Sequence, residues 1–261
     1  MFLSALLALR IVVVGDIGAG TTEIARGIER LNRESPIGAI ISTGDNIYPC
    51  GVKSPSDPRW NVLRPLSSLG IPIYPVLGNH DHCGNPDAEI GAPLPNWRFP
   101  ARKYVIHKAV ADFAMLDTTP YADGRAPPPD IDTLFNGSTA PWRIAVGHHP
   151  LLSSGYHGRL PRDEHRRMVA LIPAMRSAQV DLYICGHDHH LELIDGRPRM
   201  LISGAGSDPV PPLLRHVKTI WANEGPPYRG FAILEISATT ISIRFYDAEG
   251  DPRSRAFTFR K

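Results

Sequence analysis

The feature that most constrains this chain is a pattern that occurs five times: a short apolar run ending in a Gly-containing polar motif. Residues 11–14 lead into Gly15-Asp16-Ile17-Gly18, residues 37–42 into Gly44-Asp45-Asn46-Ile47-Tyr48, and residues 71–77 into Gly78-Asn79-His80-Asp81. Residues 144–146 lead into Gly147-His148-His149-Pro150, and residues 180–185 into Gly186-His187-Asp188-His189-His190. Short β-rich apolar runs without alternation read as strands buried on both faces. In such sheets ligands bind outside the carboxyl ends of the strands. Five polar tips are therefore expected to converge on one site.

Helical patterns lie between the strands. Residues 21–33 carry Ile24, Ile28 and Leu31 on one face. Asp57-Pro58 reads as an N-cap with Pro at the first helical position, leading into residues 60–69. Residues 163–178 place Met168, Leu171, Ile172 and Met175 on one stripe, which Pro173 is expected to kink. The C-terminal third is strand-rich, with runs at 199–203, 230–236, 240–246 and 256–259 and a hairpin turning near Ser237-Ala238. Residues 121–141, with Pro127-Pro128-Pro129, read as a surface loop. The expected fold is α/β, a mixed two-sheet core with helices outside it, in a single domain spanning residues 1–261.

Composition removes several function classes. Apolar content of 43% and charge of 21% are ordinary for a globular chain. The 23 Gly and 26 Pro indicate a loop-rich protein, not a low-complexity one. A net charge of +2 gives no bulk attraction to nucleic acid or membrane, and no segment reaches the roughly 18–20 apolar residues of a membrane span. The opening MFLSALLAL reads either as the remnant of an export signal or as a first strand.

The tips supply carboxylates, an amide, a phenol and imidazoles. This mixed oxygen and nitrogen set, with no obligatory thiolate, suits trivalent iron beside Zn, Mn or Fe(II). His80, His82, His148, His149, His187, His189 and His190, seven of the eleven histidines, fall in or beside these motifs. Asp81 and Asp188 are read as turn-orienting residues, and His82, His149 and His190 as lining the mouth of the site. His107, His165 and His216 carry no signal. Cys185, inside an apolar strand, reads as a small buried hydrophobe.

The ordered set GD-x-G, GD-x-x-Y, GNHD, V-x-H and GH-x-H resembles the five motifs of the calcineurin-like metallophosphoesterases. Within these it is similar to the small, mammalian-type purple acid phosphatases. Trp97-Arg98-Phe99-Pro100, Met115-Leu116-Asp117-Thr118, Ser203-Gly204-Ala205-Gly206 and Gly230-Phe231 extend the resemblance over nearly the whole chain. It implies a four-layer α-β-β-α sandwich of two mixed sheets with a dinuclear metal site at the strand ends. It implies Fe(III) held by Asp16, Asp45, Tyr48 and His189, and Fe(II), Zn or Mn held by Asp45, Asn79, His148 and His187. Most of the superfamily carries a ligand His where this chain has Gly18, and Tyr48 is read as the replacement.

The implied activity is acid-phosphatase-type hydrolysis of small phosphate monoesters by a hydroxide held on the metals, with His80 and His157 as catalytic side chains. A phosphodiesterase or nucleotide hydrolase of the same superfamily is the alternative, and a redox-active iron protein is a weaker one. Cys50 and Cys83 follow Tyr48 and His80 by two and three residues. They are either bonded, which would indicate an oxidising compartment, or two free thiols. Location is correspondingly read as periplasmic or secreted, with the cytoplasm as the alternative.

Overall fold

In strand β1 (Leu9–Val14) the residues after Arg10 are apolar without a break, and the fold shows why. Ile11 and Val13 face one core and Val12 and Val14 face another, so both faces are buried. The structure, a computed structural model, describes residues 8–18, 21–158, 162–213 and 217–261. Most of the N-terminal apolar stretch and His216 lie outside the described residues.

The chain crosses between two sheets twice. It lays down β1, β2 (Ala39–Ser42) and β3 (Ile73–Pro75) in the first sheet. It then builds the second from β4 (Tyr104–His107), β5 (Ala111–Met115), β6 (Trp142–Val146), β7 (Leu182–Cys185), β8 (Leu191–Ile194), β9 (Arg199–Ser203) and β10 (Thr219–Ala222). It returns with β11 (Gly230–Ile236), β12 (Thr240–Asp247) and β13 (Phe257–Arg260). The orders are β13-β12-β11-β1-β2-β3 and β10-β8-β9-β7-β6-β5-β4. Both sheets are mixed: β1–β2–β3 and β5–β6–β7–β9 are parallel, and the remaining pairs are antiparallel. The hairpin expected near Ser237 joins β11 to β12.

Three apolar clusters hold four layers together. The central one interleaves Ile11, Val13 and Ile41 of the first sheet with Phe113, Ile144 and Ile184 of the second. Outside the first sheet, α1 (Thr21–Glu34) buries Ile24, Ile28 and Leu31 in the cluster that contains Val12 and Val14. Each such side chain is worth about 1.5–3 kcal/mol on burial, so the helix is fixed by its apolar stripe. The other short helices are α2 (Arg64–Ser67), α3 (Asn79–Cys83), α4 (Thr119–Ala122), α5 (Asp163–Val169) and α6 (Ile172–Ser177). Met168, Leu171 and Met175 from the α5–α6 region pack under the second sheet with Tyr183 and Cys185.

Prolines account for two departures from the expected elements. Asp57 does cap a helical segment, accepting from the Arg59 backbone N–H. That segment is a 3-10 turn, Pro58–Leu63, followed by the single turn α2, because Pro65 supplies no N–H to continue the ladder. The expected helix over 163–178 is two helices, with Pro173 in the first turn of the second. Within the apolar run 71–77 only Ile73–Pro75 is strand. Residues 121–141 are not simply a surface loop: they include a 3-10 turn, Asp132–Phe135, and bury Ile131 and Phe135 beneath the second sheet. No helix among the described residues is long and apolar enough to cross a membrane.

Candidate metal centre

The parallel strands aim their carboxyl ends at one place. Asp16 follows β1, Asp45 follows β2, Asn79 and His80 open α3 after β3, His148 follows β6, and His187 and His189 follow β7. The turns that present them are strained: Asp16, Asp45 and His187 have φ of 55°, 50° and 68°. Such conformations cost of order 1–3 kcal/mol each and concentrate at functional sites.

Two groups of donor atoms form around one carboxylate oxygen. In the first, the Tyr48 hydroxyl lies 3.1 Å from Asp16 Oδ1, 3.0 Å from Asp45 Oδ2 and 3.1 Å from His189 Nε2. His189 Nε2 is also 3.4 Å from Asp16 Oδ1. In the second, His148 Nε2 lies 3.1 Å from Asn79 Oδ1, 3.0 Å from His187 Nδ1 and 3.5 Å from the same Asp45 Oδ2. Metal–donor bonds of about 2.0–2.2 Å at tetrahedral or octahedral angles place neighbouring donors roughly 3.0–3.5 Å apart. All seven residues expected as ligands are thus brought together at ligand spacing.

The outward-facing ring nitrogens show what the inward-facing ones offer. His148 Nδ1 faces the Thr43 carbonyl at 2.9 Å, His189 Nδ1 faces the Asp208 carbonyl at 3.2 Å, and His187 Nε2 faces Glu164 Oε1 at 3.1 Å. Carbonyl and carboxylate oxygens only accept, so these nitrogens carry the protons. When neutral, the three rings turn bare lone pairs toward Asp16, Asp45, Tyr48 and Asn79. A buried cluster of acceptors needs a cation, and the donor set fits a pair of metal ions.

The electrostatics agree. Burial raises the Asp16 carboxyl to about 6, helped by Asp45 and opposed by His148 and His189. Burial acts the same way on Asp45, but the positive charge and hydrogen bond of His148 and the charges of His187 and His80 hold it well below the carboxylate range. Burial, Asp16 and Asp45 push the Tyr48 phenol far up, so it ionises only beside a strong Lewis acid. Against burial, Asp45 and Asp16 raise His148 to about 10: without a metal, a proton supplies the missing positive charge. Burial lowers His187 to about 4 despite the hydrogen bond to Glu164.

Gly18, where most of the superfamily is expected to carry a ligand His, is the space that Tyr48 fills. A Cβ on Gly18 would stand 1.8 Å from Tyr48 Cδ2. His80 sits at the rim with its side chain 38% exposed and its Nε2 3.9 Å from Asp45 Oδ2. Its Nδ1 is held by the Pro49 carbonyl at 2.5 Å, and its ring meets that of Tyr48 edge-on at 4.5 Å. His157 packs against the His187 ring at 3.7 Å between centroids, with its Nδ1 3.2 Å from Glu164 Oε1.

The remaining polar residues support these loops. Asp81 is buried and accepts from the backbone N–H groups of Asn46, Ile47 and Gly78, tying the Asp45 turn to the Asn79 turn. Asp188 accepts from the His157 backbone and from Ser153 Oγ. His82 pairs with Asp117, His149 with Thr118 and His190 with Glu192. His149 nevertheless lies within a possible metal-holding group with His148 and His187. Cys50 and Cys83 form a disulfide, with 5.1 Å between their Cα atoms, that joins the Tyr48 loop to α3. Cys185 is free and buried. Glu164 escaped the sequence reading: it stands in a charged first turn, Asp163-Glu164, like many helix starts, and only the fold shows that it faces the site.

The family model of the calcineurin-like phosphoesterases matches residues 9–191. Purple acid phosphatase 4 of Arabidopsis thaliana is 28% identical over 94% of this chain and 81% of its own length. Tartrate-resistant acid phosphatase type 5 of Homo sapiens is 28% identical over 93% of this chain and 88% of its own length. Among solved structures, GAP50, described as the anchor in the inner membrane complex of Plasmodium, has a TM-score of 0.78 at 24% identity, covering 97% of this chain and 89% of that one. That last likeness concerns the fold alone. With a matched span of well over half its length, and a donor set fit for a dinuclear metal centre, this chain is a metal-dependent phosphoester hydrolase and belongs to the calcineurin-like phosphoesterases.

Proposed function

We propose that this enzyme hydrolyses small phosphate monoesters at a dinuclear site that pairs a trivalent with a divalent ion. One position, formed by Asp16, Asp45, Tyr48 and His189, takes Fe(III). The other, formed by Asp45, Asn79, His148 and His187, takes Fe(II), Zn or Mn. The observation that carries the reading is the sharing of Asp45 Oδ2 between two differently composed donor groups. Two carboxylates and a phenol favour a trivalent ion, whereas imidazoles and a neutral amide favour a divalent one. The relatives named as purple and tartrate-resistant acid phosphatases support the same choice. When bound, the ions supply Lewis acidity, charge neutralisation and an activated water.

The chain's own contribution is to position the ester and move a proton. With its Nδ1 fixed on Pro49, His80 keeps Nε2 on the side of the metal cluster. From there it donates a proton to the leaving oxygen as the P–O bond breaks. His157, beside His187, is the second side chain placed to hold the phosphate. The same reading takes residues 1–261 as one domain acting on small esters, without nucleic acid or membrane. The Cys50–Cys83 bond favours the periplasm or the exterior, where disulfides persist.

The test compares kcat/KM for glycerol phosphate, nitrophenyl phosphate and a bis(nitrophenyl) diester. The wild type is expected to favour the monoesters; preference for the diester would overturn the substrate assignment. General-acid help is worth ~10²–10⁴-fold where the leaving group is poor. His80→Ala should therefore depress glycerol phosphate turnover by that order while nitrophenyl phosphate falls far less, with metal content unchanged. Equal losses on both would make His80 a substrate-positioning residue, and loss of a metal would make it part of the metal site.

A further inference from the structure

The three imidazoles of the metal cluster are oriented by unlike partners. His148 and His189 each donate to a backbone carbonyl, of Thr43 and Asp208. His187 alone donates to a side chain, Glu164 on α5, at 3.1 Å. The same oxygen, Oε1, also lies 3.2 Å from His157 Nδ1. The two rings meet at a tilt of 48° with centroids 3.7 Å apart, and the shared oxygen lets one carboxylate clasp both. Side-chain exposure falls from 27% at Glu164 and 25% at His157 to 7% at His187, which places the clasp at the edge of the site rather than in open solvent.

We propose that Glu164 is the positioning residue of the second metal site: by accepting from His187 Nε2 it fixes the tautomer that turns Nδ1 toward the metal, and by accepting from His157 Nδ1 it aligns that ring for the substrate. The proposal rests on the two-metal reading above. Its physical basis is general. Ligand imidazoles donate their other N–H to an oxygen that sets ring orientation and raises donor strength, and loss of that partner typically costs about 10–100-fold in metal affinity. A carboxylate adds charge that a backbone carbonyl lacks. Because the partner here is a side chain, it can be removed without touching the backbone.

The test is equilibrium dialysis of the metal-stripped full chain against buffered free Zn²⁺, read as metal bound per chain. Wild type is expected to bind two ions. Glu164→Ala should weaken one of the two by about 10–100-fold and leave the other unchanged. Its turnover should recover as free Zn²⁺ is raised. Glu164→Gln, whose amide oxygen can still accept from both rings, should recover most of the lost affinity, and the melting temperature of the metal-free protein should be the same in all three. Wild-type affinity in Glu164→Ala would overturn the proposal. So would equal losses in the Ala and Gln variants, or a lower metal-free melting temperature, which would mark a structural role. Three ions in wild type and two in Glu164→Ala would make Glu164 a ligand instead. Fewer than two ions in wild type would overturn the two-metal reading itself.

Discussion

Asp45→Asn is expected to lower phosphate-ester hydrolysis by about 10³-fold or more while the protein remains folded. Asp45 Oδ2 lies 3.0 Å from the Tyr48 hydroxyl and 3.5 Å from His148 Nε2, so it is the one atom common to both donor groups. An amide there keeps the shape of the side chain but removes its charge, so on the proposed assignment both ions would lose their shared anion. Charge stabilisation by bound metal contributes several kcal/mol to such reactions, and each ~1.4 kcal/mol is a factor of ten in rate. The fold should tolerate the change because Asn accepts the positive φ of 50° at this turn, and its oxygen can still accept from the His80 backbone N–H, as Oδ1 does now at 2.9 Å. The check is kcat with metal content on the same preparation. Activity within tenfold of wild type would mean that Asp45 does not bridge the site.

Gly18→Ala is the second large effect expected. The added Cβ would sit 1.8 Å from Tyr48 Cδ2 and 2.4 Å from Cγ, so the ring has to leave. Partners that only orient a ligand cost about 10–100-fold when lost, so displacing a side chain proposed as a direct donor should cost at least ~10²-fold. Tyr48→Phe should cost a similar amount without moving the backbone. Because both act through the same phenol, the double variant should lose little more than the worse single one, the non-additivity of groups that share a contact. Multiplicative losses would show that Gly18 acts on something other than Tyr48.

Much of this was legible in the sequence because burial on both faces leaves a local mark. β1, β2, β6 and β7 each carry a short apolar run, and each leads into the turn that presents a donor. The order of the sheets was not legible, since pairings such as β1 with β11 join segments more than two hundred residues apart. The helix over 60–69 was misjudged where Pro65 cut it short, whereas Pro173 had marked the break within 163–178. Residues 121–141 looked loop-like because of their prolines, yet Ile131 and Phe135 there are buried. Glu164 left no mark because its role depends on where α5 docks, not on spacing to any motif. Cys50 and Cys83 were visible as neighbours of site residues, but whether they met depended on how the two loops converge.

The most direct measurement is the metal content of the purified, oxidised protein together with its visible spectrum, for wild type and Tyr48→Phe. Two metal ions per chain, at least one of them iron, with a visible charge-transfer band that disappears in Tyr48→Phe, are predicted by the donor groups around Asp45. A colourless wild type fully loaded with iron would contradict the Tyr48–iron assignment, and fewer than two bound ions per chain would contradict the dinuclear site.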